Sequence, residues 1–291
     1  MGGEYSTSND LRRRALEFIR SRGFRSVKEH DQYFMVDRKE LKSIVDVAEI
    51  SKEDVVLEIG AGLGFLTEEI ASKGPKAIYA VEKDPELASM LLERFKREPR
   101  IRVICEDVLK LLPFKGNYTK VVANPPFSIS SRILLGLLDS EFKSASITFQ
   151  YEFVERLTAE VGSRSYGSLT VLTWLKFDAT VVKRIDRSSF IPKPDVDVVL
   201  IKIEPRKRGL MMDPMEWAFL KQMLPFLFER RKRKLRNALE NFLTNSYRIR
   251  RAEAKRLARE LVTTDIRVYR TSPLEFVELA RNIRHSLLKP S

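Results

Sequence analysis

The sequence predicts an α/β domain built on a mostly parallel sheet, followed by a small all-helical C-terminal domain. Three observations carry this expectation. Short β-rich runs alternate with amphipathic helical stretches between residues 55 and 149. Two later strand-like runs, 180–185 and 196–203, follow with no predicted helix between them. Beyond a Pro-Arg-Lys-Arg-Gly stretch at 205–209 the pattern turns wholly helical.

Residues 11–24 read as a short basic helix with Leu11, Ala15, Phe18 and Ile19 near one face, ended by Gly23. A second helix is expected over 38–49. Strands are expected at 55–59, 77–81, 101–104, 120–123 and 145–149. Helices fill 63–72, 85–97 and 130–138, with another over 152–160. The strands 180–185 and 196–203 read as an antiparallel hairpin at the sheet's edge. Residues 205–209 read as a linker. Helices then span 214–228, 232–243, 251–261 and 273–281. Asp213 and Ser272 sit where N-caps belong, each followed by a proline at the first helical position. The expected division is an N-terminal extension with a basic helix (1–30), an α/β domain (31–205) and a basic helical domain (206–291).

Composition narrows the partners. The net charge is +13, and its location is more informative than its size. Residues 206–291 hold 21 Lys/Arg against 9 Asp/Glu, a net of +12. Residues 1–205 hold 32 against 31, a net of +1. Such asymmetry points to a polyanion, a nucleic acid first, held by the C-terminal part. No run of about 18 or more apolar residues suggests a membrane span, and no membrane partner is expected. The start has no charged-then-apolar pattern of the secretory type. The lone Cys105 and the two histidines, His30 and His285, offer no Cys/His metal cluster and fit a reducing cytoplasm.

The loop Glu58-Ile59-Gly60-Ala61-Gly62-Leu63-Gly64 follows the first strand and opens a helix. Glycines here allow a tight turn and close approach of a ligand to the main chain. Alone, such a loop suits a nicotinamide, a flavin, S-adenosyl-L-methionine or plain turn geometry. The spacing G-x-G-x-G departs from the dinucleotide G-x-G-x-x-G, whose third glycine would fall at Phe65. Acidic Glu58 suits the amino-acid end of S-adenosylmethionine. Glu82 ends the next strand, where a carboxylate accepts bonds from ribose hydroxyls. Asp107, after the third strand, can meet an adenine amino group.

Asn124-Pro125-Pro126-Phe127 lies at the carboxyl end of the fourth strand, where open α/β sheets bind ligands. An exocyclic aromatic amine is a poor nucleophile because its lone pair is delocalised. Two acceptors, the Asn124 side-chain carbonyl and the Pro125 main-chain carbonyl, could hold both of its N–H groups. The nitrogen lone pair would then aim at a donor methyl, with positioning and fixed dipoles supplying the catalysis. Phe127 can stack on a target base, and Phe190, in a rigid loop before the last strand, can close its other side.

With these residues the chain resembles the small-subunit ribosomal RNA adenine N6,N6-dimethyltransferases and, more distantly, the erythromycin-resistance RNA methyltransferases. The likeness runs over about residues 30–285 and includes the stretch from Asp31 to Asp37, the glycine loop, Glu82, Asp107 and Asn124 to Phe127. It continues through Phe149-Gln150-Tyr151-Glu152, Tyr166-Gly167-Ser168-Leu169, the Phe190 loop and Arg230-Arg231-Lys232 with Leu235-Arg236-Asn237. The resemblance implies a Rossmann-like class I methyltransferase domain with a seven-stranded sheet, and a helical domain that helps hold rRNA. It implies S-adenosyl-L-methionine as cofactor and dimethylation of two adjacent adenines during ribosome assembly, by a monomer acting on small-subunit rRNA or the immature subunit. It places Gln32, Tyr33, Met35, Glu58, Gly60, Gly62, Gly64, Glu82, Asp107 and Asn124 around the cofactor. Asn124, Pro125, Phe127 and Phe190 would hold the target adenine, and Arg230, Arg231, Lys232, Arg233, Lys234 and Arg236 the RNA.

The chain departs from the family's usual pattern at Tyr33, Pro125, Phe127, Arg132 and Asp195. Those departures keep two alternatives open: an RNA-binding assembly factor of weak catalytic power, and an amine methyltransferase acting on another RNA, on DNA or on a protein amide.

Overall fold

The structure is a computed structural model and describes residues 7–23, 31–206 and 212–288. Part of the expected linker and both ends of the N-terminal extension, 1–6 and 24–30, lie outside the described residues. Two compact units form: Met1–Val154 with Asp178–Pro205, and Glu155–Phe177 with Arg206–Ser291. The helical unit therefore takes in residues 155–177 as well as the C-terminal stretch expected from the sequence.

The first unit opens with α1 (Ser8–Arg22), capped by the Thr7 hydroxyl and ended by Gly23 at φ 85°. Its apolar face, Leu11, Ala15, Phe18 and Ile19, is buried. Burying the three larger side chains is worth roughly 1.5–3 kcal/mol each before entropy is counted. After β1 (Phe34–Met35) and α2 (Arg38–Ala48) the alternation begins: β2 (Val55–Ile59), α3 (Phe65–Ser72), β3 (Ala77–Glu82), α4 (Pro85–Arg94), β4 (Ile101–Cys105), β5 (Lys120–Ala123), α5 (Ser130–Leu137) and β6 (Ser144–Gln150). Along the chain then come α6 (Tyr151–Leu157) and α7 (Ser168–Lys176), the latter in the second unit, before β7 (Phe177–Ile185), β8 (Phe190–Ile191) and β9 (Val198–Pro205).

The seven-stranded sheet has the order β4-β3-β2-β5-β6-β9-β7. Strands β2 to β6 pair in parallel, and β9 runs antiparallel to β6. The strand order reverses between β2 and β5, which opens a crevice above their carboxyl ends. β2, β5 and β6 are buried along nearly their whole length, as a sheet covered on both faces requires. β1 and β8 form a separate two-stranded ladder that pairs Met35 with Phe190.

The second unit contains α7, α8 (Pro214–Glu229), α9 (Leu235–Tyr247), α10 (Arg251–Leu261) and α11 (Pro273–Leu288). Asp213 heads α8 with a capping box, its carboxylate accepting from the Glu216 N–H at 2.7 Å. Ser272 and Glu275 make the same reciprocal pair at α11. Helix α7 was not predicted. Its Ser-Leu-Thr-Val-Leu-Thr-Trp-Leu-Lys run is rich in β-branched residues, and burial on several sides leaves it no clear helical period. The segment 232–234, expected to be helical, is instead the turn before α9, whose helix starts at Leu235. Among the described residues no helix is long and apolar enough to cross a membrane.

Candidate cofactor and target-amine site

One cavity of about 310 Å³ lies at the reversal of strand order, lined by the ends of β2, β3 and β5 and by the loop after β4. Gln32, Tyr33, Met35, Gly60, Gly62, Glu82, Asp107, Asn124, Pro125 and Phe127 all line it. The sequence motifs, scattered over nearly a hundred residues, thus converge on one crevice.

The glycine loop is satisfied from within. The N–H groups of Gly60 and Ala61 donate to the Val81 carbonyl at 2.9 and 3.1 Å, and that of Gly64 to the Ala61 carbonyl at 2.9 Å. The Gly62 N–H donates to the Glu82 carboxylate at 2.9 Å. A dinucleotide site needs such N–H groups for its pyrophosphate. Here those of Gly60, Ala61, Gly62 and Gly64 are spent, and a carboxylate stands beside the loop. The arrangement opposes a pyrophosphate and suits a cofactor without one. Gly60, at φ +74°, holds a backbone shape that other residues reach only under strain.

Glu82 is 7% exposed, and its second oxygen accepts the Asp84 N–H at 2.9 Å. Burial pushes its carboxyl upward, opposed by these backbone N–H groups. The carboxylate keeps lone-pair room for a hydroxyl donor beside these N–H groups. Asp107 caps the short helical turn at Val108–Leu111 through its Oδ1, bonded to the Leu109 N–H at 2.9 Å. Gln32 reaches Asp84 with its Nε2 at 3.4 Å, while its Oε1 is buried without a partner. An orphaned acceptor on the cavity wall calls for a donor such as an ammonium or hydroxyl group. The residues present therefore fit S-adenosylmethionine, with acidic and amide acceptors around apolar walls.

Asn124 is held at both ends of its amide. Its Nδ2 donates to the Tyr33 carbonyl at 3.2 Å, and its Oδ1 accepts the Thr148 hydroxyl at 2.6 Å. Thr148 lies fully buried in β6, and in the sequence a strand threonine carries no signal of its own. The Tyr33 carbonyl, which can only accept, fixes which end of the amide is the donor; the Thr148 hydroxyl then donates to Oδ1 and leaves it a second lone pair. The Tyr33 ring stacks on Phe127, centroids 5.3 Å apart and 25° from parallel. The Ser128 N–H donates to Asp31 at 2.7 Å, so residues 31–35 are tied across to the loop after β5. Thr148→Val is expected to lower kcat at least tenfold with cofactor affinity unchanged, measured by steady-state kinetics and calorimetry; an unchanged kcat would remove Thr148 from the site.

Three expected contacts are corrected. Glu58 does not line the cavity: it is fully buried, and neither carboxylate oxygen has a hydrogen-bond partner. Gly64 serves helix packing instead, since a Cβ there would lie 2.7 Å from Leu91 Cδ2 and 3.0 Å from Phe95 Cε2. Phe190 is 2% exposed in the core and does not line the cavity, because the β1–β8 ladder draws it inward.

The expected RNA cations divide in two. Arg231 donates to the carbonyls of Ser163 and Arg164 and lies over the Tyr269 ring. Arg236 donates to the carbonyls of Val262 and Thr263, and Lys234 pairs with Asp265 at 2.6 Å. These three brace the helical unit. Arg230, Lys232 and Arg233 are exposed, with no side-chain partner among the described residues. Helix α10 adds exposed Lys255, Arg256 and Arg259.

The parallel sheet with its inserted antiparallel strand and the crevice around Gly60, Glu82 and Asn124 define a class I S-adenosylmethionine-dependent methyltransferase. The sequence profile of the family described as ribosomal RNA adenine dimethylase matches residues 23–280. A probable ribosomal RNA small subunit methyltransferase A of Methanococcoides burtonii is 38% identical over 257 residues, covering 87% of this chain and 92% of the relative. The ribosomal RNA small subunit methyltransferase A of Clostridium botulinum is 38% identical over 202 residues, covering 66% of this chain and 73% of the relative. Among solved structures, a dimethyladenosine transferase from Plasmodium falciparum superposes with a TM-score of 0.71 at 26% identity, covering 86% of this chain and 96% of that one. The 23S rRNA methyltransferase ErmE gives 0.62 at 26% identity, covering 86% and 99%. The chain belongs to the ribosomal RNA adenine dimethylase family.

Proposed function

We propose that the protein transfers methyl groups to adenine N6 in small-subunit rRNA, two per base on two adjacent adenines. The observation that carries this reading is the Asn124 amide, clamped by Thr148 and the Tyr33 carbonyl on the wall of the cofactor cavity. Bound in that cavity, S-adenosylmethionine supplies an electrophilic methyl on a sulfonium. Asn124 Oδ1 accepts one N–H of the target amine, and the Pro125 carbonyl accepts the other. The amine is drawn toward a pyramidal nitrogen, its lone pair aimed at the methyl. No strong base is needed before transfer, because the proton leaves afterwards. Glu82 takes the cofactor's ribose hydroxyls, and Asp107 its adenine amino group.

Phe127 supplies the stacking face for the flipped base, which requires Tyr33 to give up its own place on that ring. The names of the relatives in Methanococcoides and Clostridium support small-subunit rRNA over DNA or protein. The +12 charge of residues 206–291 supports the same choice. The reading implies a cytoplasmic monomer that meets the immature subunit. Competition between immature small subunits, single-stranded DNA and glutamine peptides for labelled methyl groups tests the substrate class. Label in the DNA or the peptide in preference to the RNA would overturn it.

The exposed cations of the second unit carry a separate expectation. Neutralising Arg230, Lys232 or Arg233 should each reduce the salt slope of RNA binding by about 0.7–0.9. Arg231→Ala and Arg236→Ala should instead lower Tm, because their backbone acceptors lose a donor. Binding isotherms at four salt concentrations separate the two groups; equal slopes for all variants would assign the exposed residues to solvent.

A further inference from the structure

Helix α1 lies outside the stretch matched by the family profile, which begins at residue 23. Its contacts nevertheless run into the cofactor site. The Phe18 ring meets Phe34 edge-on, centroids 5.5 Å apart at 90°. Phe34 lines the cavity and covers the glycine loop: a Cβ on Gly62 would lie 3.5 Å from its ring. Arg22, at the helix end, forks onto Asp84 through both terminal nitrogens and onto Glu86 through Nε at 2.7 Å. Asp84 caps α4, receives Gln32 at 3.4 Å, and gives its own N–H to Glu82 Oε1 at 2.9 Å. Two further ties fix the helix in place. Arg12 donates to the Ser188 carbonyl at 3.1 Å, and the Ser8 hydroxyl accepts the Arg38 N–H at 3.0 Å.

We propose that α1 is a positioning clamp for the cofactor: Arg22 sets Glu82 and Gln32 through Asp84, and Phe18 seats Phe34 over the glycine loop. A guanidinium fork fixes a carboxylate's plane and position, where a single ammonium fixes only its distance. With Asp84 held, the Glu82 carboxylate and the Gln32 amide are preorganised, and binding loses less to ordering them. The helix touches no reacting atom, so its effect falls on cofactor binding and not on the chemical step.

The inference rests on Glu82 being the ribose ligand, and the experiment separates the two claims. Calorimetry with S-adenosylhomocysteine is run on the full chain and on Arg22→Ala, Arg22→Lys, Phe18→Leu, Glu82→Ala and the exposed-face control Arg20→Ala. Arg22→Ala is expected to raise Kd about tenfold, Arg22→Lys to recover part of that, and Arg20→Ala to change nothing. Phe18→Leu is expected to raise Kd severalfold. In kinetics, KM for the cofactor rises while kcat at saturation stays within twofold. If Glu82→Ala leaves Kd unchanged, the site reading fails. If Glu82→Ala weakens binding while folded Arg22→Ala and Phe18→Leu bind as the unaltered protein does, the clamp is overturned and the site reading stands. Should Arg22→Ala not fold, Arg22→Lys carries the test, and an unaltered Kd there overturns the clamp.

Discussion

Asn124→Ala is expected to lower the rate of methyl transfer by about 10²–10³-fold, the cost of losing one preorganised polar contact at a reacting atom. The substitution removes the acceptor for the target amine and leaves the Thr148 hydroxyl and the Tyr33 carbonyl facing empty space. Glu82, Gln32 and the glycine loop stay intact, so cofactor affinity should change by less than about fivefold, a difference of under roughly 1 kcal/mol. Single-turnover kinetics with labelled cofactor, beside calorimetry, gives both quantities. A variant that binds cofactor and still transfers methyl groups at half the normal rate would show that the amine is activated elsewhere. Asn124→Asp is a sharper probe. It keeps the shape but places a charge where Thr148 Oγ1 and the amine both compete, and it loses the Nδ2 donor to Tyr33.

Glu58→Gln is expected to stabilise the fold at neutral and alkaline pH, although a motif residue is being altered. Glu58 is fully buried, and neither oxygen makes a hydrogen bond. Burial pushes its carboxyl up to about 8 from an ordinary 4.5; the nearby Thr67 hydroxyl opposes the push, and the Glu82 carboxylate adds to it. Between those values the folded chain keeps a proton that the unfolded chain releases. The stability tied to that proton is complete below pH 4.5 and is lost as pH rises through about 8. A gap of this size corresponds to a ceiling of roughly 5 kcal/mol. Glutamine does not titrate, so its advantage over glutamate should grow from near zero at pH 4.5 to several kcal/mol at pH 8.5. Urea unfolding of both proteins across that range measures it. Parallel stability curves would mean that the carboxyl is solvated or paired in the folded protein.

Much of this site was legible because its chemistry is local in the sequence. A glycine turn after a strand, a carboxylate at the end of the next strand and an Asn-Pro-Pro-Phe string each announce themselves. The parallel sheet then brings them together without further instruction. What escaped the sequence depends on neighbours distant along the chain. Gly64 looks like a third cofactor glycine until Leu91 and Phe95 are seen pressing on its Cα. Glu58 looks like a ligand until the alternation of β2 turns it into the core. Thr148 becomes informative only when β6 lies beside β5 and its hydroxyl meets Asn124. Phe190 looks like one wall of a base slot until pairing with Met35 commits it to the core. The basic run at 230–236 looked uniform, yet half of it is spent on carbonyls and on Asp265. A charge count cannot distinguish a phosphate ligand from a brace.

The most direct test of the central claim is the nucleoside content of rRNA after reaction. Immature small subunits lacking the modification are incubated with the pure protein and labelled S-adenosylmethionine, and the digested RNA is resolved by mass spectrometry. N6,N6-dimethyladenosine at two adjacent positions, lost with Asn124→Ala, is the predicted result. Cofactor binding with no label in adenine would contradict it.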